Sequence, residues 1–330
     1  MPEAAATATP VNGRRAPART ARVLGLGHRL PDRVVPNGPI AEAIGVDADW
    51  IVRRTGIRAR RYAAAGERTS DLALAAARRA ISDAGLRPAD IDLVLVATMT
   101  ADEITPNTAP LVAEALGLKV GAFDVGAACT GWLSALSVGA AQIETGRSER
   151  VLVIGAETIS RLVDPTDKRT AALFGDGAGA VVLGHEGEGE IGPILLASDG
   201  GMGDTIIAHH DARTLAMDGH TTFNQAVKVL GESTRQVLDN TGLRLDDIDL
   251  FVYHQANGRI LKALIERLEL PPERVADYVG ETGNTSAASI PLTLSLLRED
   301  GRLRQGQRLL LGAVGAGFTW GAGIVEWGVQ

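Results

Sequence analysis

The sequence contains only one cysteine, Cys129, among its 330 residues. A single thiol excludes an intrachain disulfide and a zinc site made of several thiolates. It leaves two interpretations of Cys129 open. Free cysteine is among the most buried residue types, so Cys129 is either a small apolar core residue or a nucleophile.

Aromatic side chains and basic charge are also scarce. Aromatic residues make up 4% of the chain, so Ala, Val, Leu and Ile must fill the core, as is typical of α/β proteins. The 33 basic and 40 acidic residues give a net charge of −7. This balance argues against a nucleic-acid-binding protein, which normally carries a basic excess.

Long apolar stretches are absent as well. No run approaches the roughly 18 apolar residues that a membrane-spanning helix requires. Residues 1–20 are rich in Ala, Pro, Thr and Arg without an apolar period, which predicts a disordered tail rather than a signal peptide. We therefore expect a cytoplasmic protein without a membrane partner.

The chain repeats itself at long range. Gly85 and Gly242 lie 157 residues apart in similar surroundings, and residues 152–156 match 309–313 at the same offset. A further pair, 174–181 and 318–325, is offset by 144 residues. Solenoid repeats span only about 20 to 50 residues, so this period indicates a duplicated domain. The predicted halves are residues 21–185 and 186–330.

Helical and strand patterns alternate within the first half. The patterns predict a helix over 71–84, a strand over 93–98, a helix over 132–145 and a strand over 151–156. The second of these helices is apolar on nearly every face, which indicates a buried helix. Strands that alternate with helices form sheets covered on both faces. Two such halves predict a five-layered α/β/α/β/α sandwich.

Three polar residues stand at the ends of predicted elements. Cys129 directly precedes the buried helix, where the helix dipole should lower its pKa. His254 follows a strand of the second half, and Asn284 lies in a small polar turn before another apolar helix. Separately, His254 could be a hydrogen-bonded structural residue and Asn284 part of an N-cap. The duplication predicts that the turns of Cys129 and Asn284 meet, with His254 beside them.

Other motifs carry weaker signals. The glycine-rich segments 175–179 and 315–317 lack the spacing of a dinucleotide or P-loop fingerprint, so close backbone packing or an oxyanion-hole amide is the better interpretation. The adjacent pair His209 and His210 has no suitably spaced carboxylate, and we predict no metal site. Arg259 and Lys262 lie three residues apart on a predicted helix, which could dock an acidic partner or simply face solvent.

These motifs resemble the β-ketoacyl-acyl carrier protein synthase III family of the thiolase superfamily. The resemblance spans about residues 20 to 330 in order and is carried by the following segments: 50–57, the Cys129 turn, 164–167, 174–180, 254–257, 283–289 and 317–321. It implies the duplicated thiolase-like fold and a homodimer.

The resemblance implies a decarboxylative Claisen condensation without a separate cofactor. Cys129 would take an acyl group from acyl-CoA. His254 and Asn284 would bind the thioester carbonyl of malonyl-acyl carrier protein and stabilise the enolate that forms as CO2 leaves. The backbone amides of Cys129 and Ala316 would form the oxyanion hole.

The resemblance also implies binding residues. Coenzyme A would contact Trp50, Arg54, Lys168, Arg169, Leu173, Phe174, His220, Phe223, Ala256 and Asn257, and the acyl carrier protein would dock on Arg259 and Lys262. Lys168 and Arg169 replace the frequent Arg-Gly pair, and His220 stands where an Asn is frequent.

Two departures from the family concern the acyl pocket. Thr105 stands where a Phe from the partner subunit closes the pocket of acetyl-specific members, and Val314 replaces another Phe. Both changes remove bulk, which predicts a primer longer or more branched than acetyl.

Alternative functions remain at this stage. A related acyltransferase would pass the acyl group from Cys129 to a hydroxyl or amine without decarboxylation, although Asn284 favours enolate stabilisation. Cys, His and Asn could also serve a cysteine hydrolase, in which His deprotonates the thiol. A non-enzymatic binding role fits least, because all three reactive residues are present.

Overall fold

The computed structural model describes residues 19–209 and 214–330. Within them the strands are β1 (Arg22–Arg29), β2 (Arg33–Pro36), β3 (Ala59–Tyr62), β4 (Leu93–Ala97), β5 (Gly121–Val125), β6 (Val151–Glu157), β7 (Gly177–Gly184), β8 (Glu190–Ser198), β9 (Ile206–Ala208), β10 (Leu215–Met217), β11 (Leu250–Tyr253), β12 (Arg308–Gly315) and β13 (Thr319–Glu326). The helices are α1 (Asn37–Ala43), α2 (Ala48–Thr55), α3 (Thr69–Asp83), α4 (Thr108–Ala115), α5 (Gly131–Glu144), α6 (Gly219–Thr241), α7 (Gly258–Leu268), α8 (Val279–Thr282) and α9 (Ser289–Glu299).

Two mixed sheets form the frame. The first has the strand order β1-β7-β6-β4-β5, and the second has the order β11-β12-β13-β8. In the first sheet β4 pairs in parallel with both β5 and β6, and in the second β11 pairs in parallel with β12. The first sheet is built from residues 22–184 and the second from 190–326, so the predicted boundary falls between β7 and β8.

Five layers follow from where the helices pack. Helices α3 and α4 cover the outer face of the first sheet, where Ala76, Val94 and Leu152 share one core cluster. Helices α5 and α9 lie between the sheets, in a cluster with Leu95 and Leu311. Helix α6 covers the outer face of the second sheet, with α7 packed beside it. The predicted five-layered sandwich is confirmed.

The elements predicted in the first half are confirmed to within two residues at each end. Helix α3 begins at Thr69 rather than at 71 and ends at Asp83. Helix α5 is buried on most faces, as its apolar sequence predicts, and Gly139 lets it approach the first sheet: a Cβ there would lie 3.0 Å from Leu183 and Val153.

The predicted N-terminal tail lies mostly outside the described residues. Its last two positions, Arg19 and Thr20, are described, and Arg19 pairs with Glu149 at 2.6 Å. This ion pair holds Arg19 against the first half, and the disordered tail stays a prediction.

Candidate active site

Cys129 lies in a tight 3-10 turn, Ala128–Thr130, that leads directly into α5. The turn begins with Ala128 at φ 46, a left-handed conformation that non-glycine residues seldom adopt. Gly315 at the end of β12 packs against it, and a Cβ on Gly315 would lie 2.7 Å from the backbone N of Cys129. A glycine is therefore needed at this contact, which is the close packing that the sequence predicted for the segment 315–317.

A matching turn in the second half meets the cysteine. The 3-10 turn Ser286–Ala288 leads into α9 and begins with Ser286 at φ 49. The Sγ of Cys129 donates a hydrogen bond to Ser286 Oγ over 3.6 Å. The prediction that the duplication brings these two turns together is confirmed.

The protonation state of Cys129 differs from the sequence expectation. Burial raises the pKa of the Cys129 thiol to about 12, and the nearby Glu157 carboxylate adds to the rise. The hydrogen bonds of the sulfur with Ser286 and with the backbone amide of Cys129 act in the opposite direction, but each has a smaller effect than burial. The expected lowering of the pKa is therefore wrong, because loss of hydration outweighs the effect of the helix N-terminus.

His254 follows β11 and is 1% exposed. Its backbone N–H donates to Gly312 O at 2.7 Å, which fixes the strand end. Burial lowers the pKa of the imidazole to about 3, so His254 is neutral at physiological pH. Its Nδ1 has no hydrogen-bond partner among the described residues.

Asn284 is held at both its backbone and its side chain. Its N–H donates to Leu173 O at 2.9 Å, and its carbonyl accepts from Gly175 N at 3.0 Å. Its Oδ1 accepts from the backbone N–H of Ser286 at 2.9 Å. With Oδ1 engaged, the Nδ2 amide is the group left to donate to a ligand.

One cavity of about 590 Å³ contains all three residues, Cys129, His254 and Asn284. Its lining also includes the candidate oxyanion-hole residue Ala316, the acyl-pocket residue Val314, and every residue that the family resemblance assigned to coenzyme A: Trp50, Arg54, Lys168, Arg169, Leu173, Phe174, His220, Phe223, Ala256 and Asn257. A pocket with an apolar wall and a few convergent polar groups is the usual form of a small-molecule site.

The entrance is basic although the chain is acidic. The guanidinium of Arg54 lies 5.7 Å from the ring of Trp50, and that of Arg259 lies 5.3 Å from the ring of Phe223. The side chains of Lys168 and Arg169 are exposed beside them, Arg169 being paired with Asp167 at 3.1 Å. Flat rings and exposed cations suit an aromatic base and phosphates.

Two candidate residues lie outside this cavity. Thr105 is exposed on the loop before α4 and does not line it. Lys262 is exposed on α7 and pairs with Glu266 at 4.0 Å, whereas Arg259 on the same helix lines the cavity. The roles of Thr105 and Lys262 therefore stay predictions that a single chain does not test.

Sequence reasoning missed Ser286 and Glu157. Glu157 ends the apolar strand β6, is fully buried, and accepts a hydrogen bond from Ser286 Oγ at 2.9 Å. The sequence signal for Glu157 was its position at the end of a continuous apolar run, because an acidic residue is almost never fully buried unless it is paired. Ser286 stands 157 residues after Cys129, at the offset of the repeat.

Among residues 19–209 and 214–330, no three His, Cys, Asp or Glu side chains cluster closely enough to hold a metal ion. His210 of the rejected His pair lies outside these residues. None of the helices in the described ranges is long and apolar enough to cross a membrane.

Comparisons with known proteins agree with this geometry. Residues 123–200 match the family model of 3-oxoacyl-acyl carrier protein (ACP) synthase III, and residues 238–327 match the model of its C-terminal part. A β-ketoacyl-acyl carrier protein synthase III of Cereibacter sphaeroides is 47% identical, over 92% of this chain and 98% of that protein. A synthase III of Streptomyces coelicolor is 46% identical, over 94% of this chain and 98% of its own.

Solved structures are similar as well. The 3-oxoacyl-acyl carrier protein synthase III of Aquifex aeolicus superposes with a TM-score of 0.91 at 38% identity, covering 93% of this chain and all of that one. The priming β-ketosynthase of a polyketide pathway superposes with a TM-score of 0.90 at 37% identity, covering 96% of this chain. With the thiol, imidazole and amide gathered in one cavity of a thiolase fold, the chain belongs to the β-ketoacyl-acyl carrier protein synthase III family of condensing acyltransferases.

Proposed function

We propose that this enzyme starts acyl chains by condensing an acyl-CoA primer with malonyl-acyl carrier protein. The observation that carries the proposal is the single cavity that joins Cys129, His254 and Asn284 to a basic, aromatic entrance. Relatives named for the same reaction support it, including the polyketide priming enzyme.

The first half-reaction loads the primer. The sulfur of Cys129 attacks the thioester carbonyl of acyl-CoA, the bond from that carbon to the coenzyme A sulfur breaks, and free coenzyme A leaves with the proton. Trp50 and Arg54 hold the nucleotide end, while Leu173 and Phe174 flank the pantetheine arm. The amides of Cys129 and Ala316 stabilise the tetrahedral oxyanion.

The second half-reaction forms the carbon–carbon bond. Malonyl thioester loses CO2, and the electrons of the broken bond move onto its carbonyl oxygen. Neutral His254 and the Nδ2 amide of Asn284 donate hydrogen bonds to that oxygen, and stabilising it lowers the barrier. The enolate carbon then attacks the acyl-Cys129 thioester, the bond from the acyl carbon to the sulfur breaks, and the Cys129 thiolate leaves and takes up a proton from water.

The primer is proposed to be larger than acetyl. Val314 is buried in the cavity wall, where the family more often places a Phe, and a smaller side chain leaves room for more carbon atoms. The partner subunit of the proposed homodimer would contribute Thr105, also in place of a Phe.

Intact-mass measurement with a panel of acyl-CoAs tests the loading step. We expect mass gain with butyryl-, isobutyryl- or hexanoyl-CoA in the wild type and none in Cys129→Ala. A strong preference for acetyl-CoA would overturn the primer proposal.

Release of labelled CO2 from malonyl-acyl carrier protein tests the condensation. Loading without CO2 release, together with acyl transfer to a hydroxyl or amine, would favour the non-decarboxylating acyltransferase. Rapid turnover of a simple ester without any acyl acceptor would favour the hydrolase.

A further inference from the structure

Glu157 is a fully buried carboxyl group that the steps above do not use. It is 0% exposed, at the end of β6, and none of the ion pairs among the described residues involves it. Its carboxylate accepts from Thr100 Oγ1 at 2.7 Å, from Met99 N at 3.1 Å and from Ser286 Oγ at 2.9 Å. Burying a carboxylate with neutral donors alone costs free energy of folding, which indicates that Glu157 has a role other than stability.

Ser286 joins this carboxyl to the reactive thiol. The hydroxyl of Ser286 has one hydrogen, and that hydrogen points to Glu157 Oε1. The oxygen of Ser286 is therefore free to accept the thiol hydrogen of Cys129 over 3.6 Å. The two bonds run in one direction, from sulfur through oxygen to carboxylate.

The chemistry of the thiol calls for such an acceptor. Burial raises the pKa of Cys129 to about 12, so the thiol is protonated at neutral pH. Burial also raises the pKa of Glu157, but only to about 7. A base whose pKa lies near the working pH is the most effective kind of general base.

Few other ionisable groups face Glu157. The turn 286–288 and strand β7, which pack beside it, contain none. Three charged side chains on neighbouring segments have other partners. Asp102 pairs with Arg68, and Asp176 accepts from Ser160. Arg161 donates to the carbonyl groups of Ala64 and Glu67. In α3, Asp71 caps its own helix and Arg79 donates to a backbone carbonyl, and in α9 the ionisable residues lie at the far end. Across the cavity, His254 is neutral.

We propose that Glu157, acting through Ser286, accepts the thiol proton of Cys129 while the cysteine is acylated. As the sulfur lone pair attacks the acyl-CoA carbonyl, the thiol proton moves to Ser286 Oγ and the Ser286 hydroxyl proton moves to Glu157. The coenzyme A thiolate leaves as the carbon–sulfur bond breaks, and protonated Glu157 later loses its proton to the thiolate or to water. Glu157 acts on the thiol only through Ser286 and is thus a positioning residue. The inference rests on the proposed loading step.

Single-turnover acylation across pH 5.5 to 9, followed by intact mass, tests the relay. In the wild type we expect the rate to rise with pH and to level near the pKa of Glu157, about 7. In Glu157→Gln and in Ser286→Ala the levelling should disappear, and the rate at neutral pH should fall by about 100-fold. Ser286→Ala keeps the backbone N–H that binds Asn284.

Thr100→Val distinguishes the relay from a purely structural role of the carboxyl. The Thr100 hydroxyl bond lowers the pKa of Glu157, so this variant should keep the levelling but move it to higher pH. A folded Glu157→Gln protein that still levels near neutral pH, or Ser286→Ala acylated at the wild-type rate, would overturn the proposal. If Glu157→Gln does not fold, the Ser286→Ala rate decides.

Alkylation of Cys129 by iodoacetamide separates this inference from the proposed function, because it needs no acyl donor. The wild-type alkylation rate should level near neutral pH, because ionised Glu157 then accepts the thiol proton through Ser286, whereas the rate in Glu157→Gln should be lower there and keep rising with pH. If acyl-CoAs fail to load the wild type, the proposed function falls. Identical alkylation profiles for wild type and Glu157→Gln would instead overturn the relay.

Discussion

Cys129 Sγ and Ser286 Oγ lie 3.6 Å apart, and each belongs to a 3-10 turn that leads into a helix between the two sheets. The turns begin with Ala128 at φ 46 and Ser286 at φ 49, so the two halves repeat the same unusual backbone conformation. Duplication therefore placed a nucleophile in one turn and a hydroxyl in its counterpart. The contact links the reactive thiol to the buried Glu157.

His254 and Glu157 should affect stability with opposite pH dependence. The folded pKa of His254 is about 3 against an ordinary 6.5, so the unfolded chain binds its proton between those values and stability falls as pH drops through that window. The folded pKa of Glu157 is about 7 against 4.5, so the folded chain binds its proton there and stability falls as pH rises.

Urea unfolding of single variants checks the opposite pH dependences of His254 and Glu157. Between pH 4.5 and 6.5 the two contributions oppose each other in the wild type. In Glu157→Gln the free energy of unfolding should rise with pH more steeply than in the wild type, by up to about 1.4 kcal/mol per pH unit. In His254→Gln the difference from the wild type should have the opposite sign. Parallel pH profiles for the wild type and both variants would contradict the expectation.

Gly315→Ala should disturb the cysteine turn. The new Cβ would lie 2.7 Å from the backbone N of Cys129, so the turn must move, at a cost of about 1–3 kcal/mol. We expect slower acylation and a lower melting temperature. Gly38→Ala is the control, because no heavy atom beyond its chain neighbours and the backbone of its own helix lies within 4 Å of its Cβ position. Equal activity in the two variants would refute the steric account.

Arg54→Ala should weaken binding of the nucleotide end of acyl-CoA. Arg54 lines the cavity over Trp50, whereas the adjacent Arg53 pairs with Asp47 at 3.5 Å and does not line the cavity. The KM for acyl-CoA should rise about tenfold in Arg54→Ala, in keeping with the loss of a charged contact, and should change little in Arg53→Ala. An acyl thioester of N-acetylcysteamine, which lacks the nucleotide, should be used equally by both variants and the wild type.

Val314→Phe should shorten the acceptable primer. The larger ring would fill space next to Cys129, so the ratio of hexanoyl to acetyl loading should fall by about tenfold or more, the effect of losing burial of one or two methylene groups. Val314→Ala is the matched control and should keep or raise that ratio. An unchanged ratio in a folded Val314→Phe protein would show that this position does not limit the primer.

Arg259 and Lys262 should differ in what they recognise. Lys262→Glu should raise the KM for malonyl-acyl carrier protein and leave that for malonyl-CoA unchanged, because Lys262 lies outside the cavity. Arg259→Glu should raise both KM values, because Arg259 lines the cavity. Measuring the two substrates side by side checks this, and equal effects of Lys262→Glu on both would exclude a carrier-docking role.

Local sequence patterns predicted most elements because each depends on short-range properties. The apolar run at 151–156 and the apolar segment at 132–145 became β6 and α5 with small changes at their ends. The cysteine at the start of α5 was also predictable, because the helix boundary is a local feature. Its pKa was not, because hydration of the thiol depends on what Gly315, Ser286 and Glu157 bring around it.

The sequence by itself determined the duplicated α/β architecture, the identities of Cys129, His254 and Asn284, and the turns in which they stand. The architecture and the turns follow from periodicity, from turn residues and from a repeat that is visible along the chain, whereas the family resemblance singled out the three residues as reactive. Only the tertiary structure decided that burial keeps the thiol protonated and the imidazole neutral, and that Ser286 links Cys129 to Glu157. Electrostatics in a dry interior depends on distances between residues that are far apart in the chain, and no local pattern encodes those distances.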